Sequence, residues 1–158
     1  MLISIYLNDH LAAATGLLEL ARRAAGENRG SDHGELLARL ELEVAEDRSA
    51  LREIMSALGV APDPLKMIGG WVAEKAGRLK LNGRLRSYSP LSRLVELEVL
   101  SLGVRGKLAL WRSLEQLAAT EERLDADDLR RLIRRAERQL RALERHRLDA
   151  AAEALTAD

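Results

Sequence analysis

The sequence predicts an all-α protein, a single bundle of four long helices. Three observations carry this. Leu, Ala, Arg and Glu dominate the composition, and all are good helix formers. Phe is absent, aromatics make up 3% and only three prolines occur, a poor supply for a β-sandwich or barrel. Apolar residues recur at spacings of three and four through four long stretches, the period of a helix face. At 158 residues, 1–158 reads as one domain with room for a real core.

The most apolar long stretch, Ser89 to Ala119, is predicted as the central helix, over about 91–119. Ser89 suits the N-cap, and Pro90 the first helical position, where its missing N–H is no loss. Glu98, Ser101, Arg105, Arg112 and Gln116 form one polar stripe. The rest of the circumference is apolar, so neighbours are expected on several sides. Two charges, Glu96 and Lys107, sit on that apolar side. Eleven positions at 1.5 Å rise separate them by roughly 16 Å, too far to pair with each other. If both are buried, each needs a partner from another helix; the alternative is that one or both reach the surface. Gly103 and Gly106 disfavour the helix by up to ~1 kcal/mol each, which predicts a close helix approach or a kink.

The first helix is expected over about 5–25, with the seam Leu7, Leu11, Ala14, Leu18, Ala21 and Ala25 and a stop at Gly26. Asp32 followed by Glu35 reads as a variant capping box for a second helix over about 33–58. Its seam is Leu37, Leu40, Val44, Asp47, Leu51, Ile54 and Leu58, and Gly59 ends it. Asp47 is a carboxylate at a seam position. Pro62 and Pro64 then break the helix, and Asp63-Pro64 can open a short extra helix over 65–79. Asn82-Gly83 marks a turn or a helix stop. As a two-residue hairpin it would pair Leu81 with Arg84 and mix the faces, which favours the helix stop.

This middle connection is basic. Leu65 to Leu94 contains seven Lys or Arg against the single acid Glu74. Lys75, Arg78, Lys80, Arg84 and Arg86 form its centre. It reads either as a solvated crossover docking on acidic helices or as an anion or partner site. Trp71 and Tyr88 match no nucleic-acid module at this spacing, so nucleic acid is not expected.

Asp125 and Asp128 suit the start of a last helix over about 126–155. Its seam reads Leu129, Ile133, Ala136, Leu140, Leu143, Arg147, Ala150 and Ala154, with Arg147 where a Leu is expected. His146 is adjacent.

Other classes are excluded in turn. Acids and bases balance, 25 against 25, so there is no global nucleic-acid or membrane signal. Without Cys there is no disulfide, thiolate metal site or Cys nucleophile. MLISIYL lacks a basic lead-in and no stretch reaches the ~18 apolar residues of a membrane span, so a soluble, cytoplasmic protein is expected. GGW and GVRG lack the strand–helix context of a phosphate loop. His10 reads as a polar residue in the first turns of the first helix.

Four long helices with a ~30-residue link between the second and third resemble the ferritin-like superfamily, whose bundles use such a link to carry the chain back along their length. The segments LLARLELEVAEDRSALREIMSALGVAP and EKAGRLKLNGRLRSYSPLSRLVELE also look like uncharacterised ferritin-like proteins from high-GC bacteria. The resemblance implies a ferritin-like four-helix bundle with a long middle crossover carrying a short extra helix. It also implies a di-iron site built from a Glu on each of two helices and Glu-x-x-His on the other two. The sequence departs from that pattern. Leu7, Gly30 and Leu143 stand three residues before His10, His33 and His146, so Glu-x-x-His occurs nowhere. Only Asp47 and Glu96 sit where inward carboxylates of such a site would lie.

The leading expectation is therefore a bundle without a di-iron centre or other cofactor. It would act as a structural or interaction protein with a protein partner or a second copy of itself. The inner-face charges Asp47, Glu96, Lys107 and Arg147 would form acid–base pairs across the interior, setting helix register more than adding stability. The alternatives are a metal-binding, stress-related oxidoreductase or storage protein with unusual ligands, and an anion or nucleic-acid binding module using the basic crossover.

Overall fold

The computed structural model describes residues 2–65 and 88–156. These form four long helices: α1 Leu2–Glu27, α2 Asp32–Ala57, α3 Pro90–Leu117 and α4 Ala126–Thr156. Pro64 and Leu65 are helical, and Asp63 Oδ1 accepts from Leu65 N at 2.9 Å. The remainder of the short extra helix expected over 65–79 lies outside the described residues, as do Trp71, Asn82-Gly83 and the basic crossover residues Lys75, Arg78, Lys80, Arg84 and Arg86.

Interhelical pairs give the running directions. Arg22 meets Glu41 and Arg48 meets Thr15, so α1 and α2 are antiparallel. Arg23 meets Glu96 and Tyr6 meets Ser113, so α1 and α3 are antiparallel. Arg112 meets Glu137 and Arg93 meets Glu153, which sets α3 against α4. Arg135 meets Asp47, which sets α4 against α2. The helices form a square with α1 opposite α4 and α2 opposite α3, and α2 and α3 run the same way.

The core is mostly leucine, from Leu7, Leu11, Leu37, Leu40, Leu51, Leu97, Leu100, Leu110, Leu114 and Leu129, with Trp111 and Met55. Packing is close within the sequential pairs α1–α2 and α3–α4, and loosest between α2 and α4, where polar side chains fill the gap. No helix among the described residues is long and apolar enough to cross a membrane.

The local signals explain most boundaries. Ser89 caps α3, its Oγ accepting from Ser92 N at 3.2 Å, and Pro90 follows it. Asp125 Oδ1 accepts from the N–H groups of Asp127 and Asp128 and opens α4. Three expectations need correction. Helix α1 runs past Gly26 to Glu27, and the left-handed residue is Gly30 (φ 78°). The cap of α2 is Ser31, one residue before Asp32; its Oγ accepts from Gly34 N, and Asp32 instead faces the helix dipole from the first turn. Helix α3 has close neighbours on two sides, α1 and α4, but its apolar circumference is not wholly covered: Val99 and Leu102 are exposed among the described residues.

Candidate functional site

Midway along the bundle, α2, α3 and α4 each send a polar side chain into the interior. Asp47 and Lys107 are both buried, with 2% and 6% of their side chains exposed, and the Lys107 ammonium donates to Asp47 Oδ2. Lys107 also donates to Gln139 Oε1 at 2.6 Å. Gln139 Nε2 donates to Glu43 Oε2 at 2.8 Å. Arg135 donates to Asp47 Oδ1 at 3.1 Å and pairs with Glu46 at 2.8 Å. Both oxygens of Asp47 are thus engaged by protein cations. Burial pulls the Lys107 ammonium below its ordinary value, opposed by the Asp47 carboxylate beside it.

A cavity of about 220 Å³ opens beside this cluster, between α1, α2 and α3. Lys107, Asp47 and Trp111 form part of its wall, with Leu17, Val44, Leu51 and Leu110. Ala13, Ala14, Gly103 and Gly106 line it where α1 and α3 face each other. Trp111 is 1% exposed, and its Nε1–H finds no acceptor among the described residues. His10 is another wall residue; burial lowers its pKa below 6.5, opposed by Asp9.

A second cluster lies at the end of the bundle where α1 turns into α2. Arg23 donates to Glu96 Oε1 at 3.0 Å, and the Tyr88 hydroxyl donates to Glu96 Oε2 at 2.9 Å. Asn28, 3% exposed, donates to Tyr88 at 2.6 Å and accepts from Arg93 Nε at 2.6 Å. Arg93 also reaches Glu153 on α4, which stands 3.7 Å from His33 Nε2. His33 and His146 face each other, Nδ1 to Nδ1, at 3.1 Å. Burial and the neighbouring His33 lower the His146 pKa.

The structure thus brings Asp47 and Lys107 together. Glu96 is partnered from α1, by Arg23. Arg147 does not point inward, which corrects the expectation. It lies at the rim, pairing with Glu144 at 2.8 Å and standing 3.9 Å from Glu98. The reason is one of phase. The inward positions of α4 are Leu129, Leu132, Ala136, Gln139, Leu143 and Ala150, and His146 continues that series. The expected seam used Ile133, Leu140 and Arg147, each one residue late, because it followed apolar residues past the polar Gln139 and His146. Gln139, Arg135, Asn28 and the His33–His146 contact carry no local apolar signal and were not picked out.

The di-iron centre implied by the ferritin-like resemblance does not fit these residues. Asp47 is saturated by two cationic side chains, and the ammonium sits at the inward carboxylate. Among the described residues no group of three or more His, Asp or Glu side chains stands where it could hold a metal ion. No family model, curated protein or solved structure matches the chain.

Proposed function

We propose that this chain is a ferritin-like bundle without a di-iron centre that serves as a structural or interaction protein, with another protein or a second copy of itself as partner. The observation that carries the reading is the seat of the Lys107 ammonium. A ferritin-like site gathers inward carboxylates around metal cations. Here the inward carboxylate Asp47 gathers Lys107 from α3 and Arg135 from α4, so the protein supplies its own interior cations. The running order also supports the reading. Two antiparallel pairs, with α2 and α3 in the same direction, require the connection between them to travel the length of the bundle, as the single long crossover of ferritin-like folds does.

Metal analysis tests it. Protein purified without chelators is challenged with Fe(II) and Mn(II) and desalted. The reading expects no stoichiometric metal. Stoichiometric metal that disappears in Asp47→Asn would overturn it in favour of an oxidoreductase or storage role.

A further inference from the structure

The cavity beside the Asp47–Lys107 pair goes beyond that reading and does not depend on it. Its volume, about 220 Å³, lies between the ~150 Å³ of an engineered cavity that takes up benzene and the ~300 Å³ at which drug-sized sites begin. One ring with a short substituent fits that range.

Two features mark it as an opening and not a packing fault. Gly103 and Gly106 both line it, and glycine in a helix interior is destabilising relative to alanine. At Gly103 a Cβ would come within 2.5 Å of Leu17 Cδ1, so that side chain would have to move. At Gly106 a Cβ would meet nothing within 4 Å, so no neighbour demands the glycine. Gly106 and Ala13 are exposed while Leu51 and Trp111 are buried, so the cavity runs from the surface to the core.

Apart from the His10 imidazole, which offers one donor and one acceptor when neutral, the unspent hydrogen bonds of the wall are donors. Both Asp47 oxygens are taken, Oδ1 by Arg135 and Oδ2 by Lys107. Lys107 has three N–H bonds and gives to Asp47 and Gln139. Arg48 gives Nε to Thr15 Oγ1 at 3.0 Å and meets no carboxylate among the described residues. The Trp111 indole N–H is buried without an acceptor. A ligand for such a wall brings acceptor oxygens and negative charge at one end and an apolar body at the other.

We propose that this cavity binds a small aromatic monocarboxylate, its ring among Leu17, Leu51, Leu110 and Trp111 and its carboxylate taking hydrogen bonds from Arg48 and the indole N–H. Phenylacetate is the probe, titrated calorimetrically into the full chain alongside phenylacetamide, toluene and inorganic phosphate. The expected result is one phenylacetate per chain, with the neutral amide at least about tenfold weaker. Arg48→Met and Trp111→Phe, which keep the stem and the ring, each weaken binding about tenfold. Ala14→Leu abolishes it by filling the cavity, and Ala13→Leu, at the exposed mouth, serves if Ala14→Leu does not fold. Three results would overturn the proposal: no binding of phenylacetate by folded protein up to about 10 mM, phosphate or toluene binding as tightly as phenylacetate, or binding unchanged in a folded Ala14→Leu or Ala13→Leu variant. None of these bears on metal content, so the two readings fail separately.

Discussion

Asp47 and Lys107 stand 60 positions apart, on helices at opposite corners of the bundle, and meet as an ion pair in its interior. Gln139 and Arg135 reach the same point from α4. A buried pair of this kind adds little net stability, because desolvation offsets the attraction, yet breaking it is costly. Its value is positional. Any axial slip of α3 against α2 or α4 strands a charge.

The two partners are not equivalent. Asp47→Leu leaves the Lys107 ammonium with no carboxylate in direct contact, and should cost about 3–5 kcal/mol. Lys107→Met should cost less, because Arg135 still neutralises Asp47. The double variant should recover most of the loss, since an apolar pair replaces a charged one. Urea denaturation of all four proteins measures the coupling directly. Equal losses that simply add would show that the residues do not interact.

The His146 imidazole, set against His33, gives the fold an acid-sensitive corner. The His146 pKa is lowered from 6.5, first by burial and then by His33, with Arg145 acting in the same direction and Asp149 and Asp32 opposing. The unfolded chain therefore binds the proton more readily, and stability rises with pH across this window. Acidification below about pH 6.5 should destabilise the protein, levelling off below the folded pKa. His10, lowered in the same direction, contributes to the same slope. His146→Gln should flatten the pH dependence between pH 5 and 7 in thermal melts; an unchanged slope would remove His146 from the account.

The two glycines of α3 should respond oppositely. Gly106→Ala gains helix propensity against no neighbour, and should raise stability by up to about 1 kcal/mol. Gly103→Ala gains the same propensity but must displace Leu17 Cδ1, 2.5 Å from the new Cβ, so it should fall below Gly106→Ala, and Gly103→Val further still. Thermal denaturation ranks the three.

Tyr88 is expected to resist ionisation. Burial, together with the Glu96 carboxylate that accepts its proton, pushes its pKa well above 10, against the opposing effects of Asn28 and Arg93. The chain has two tyrosines. Ultraviolet titration should show a phenol that ionises only when the fold opens. In Tyr88→Phe that transition should vanish, and stability should fall by about 1.5–3 kcal/mol with the lost bond to Glu96.

Much of this was legible in the sequence because capping chemistry and apolar period are local. Ser89-Pro90, Asp125 and the Leu7–Leu11–Leu18–Ala21 seam all read correctly from neighbours a turn apart. Asp47 and Lys107 stood out as charges on apolar faces. Which charge each would meet did not show, since that depends on how helices far apart in sequence are brought together. The last helix shows the sharper limit. Leu129, Ala136, Leu143 and Ala150 belong to either of two seams, and the apolar choice of Ile133 and Leu140 looked better than Leu132, Gln139 and His146. The structure takes the polar one because the loosest contact in the bundle, α2 against α4, has Asp47, Glu43 and His33 to satisfy those side chains.

The charge state of Lys107 tests the interior ion pair most directly. The chain has four lysines, so the side-chain nitrogen resonances can be followed by nuclear magnetic resonance and Lys107 assigned by its loss in Lys107→Met. The account predicts an ammonium that titrates below the ordinary lysine value of 10.5, and lower still in Asp47→Asn when the opposing carboxylate is neutralised. A Lys107 that titrates at the ordinary lysine value, and does not respond to Asp47→Asn, would place the side chain in water and contradict the account.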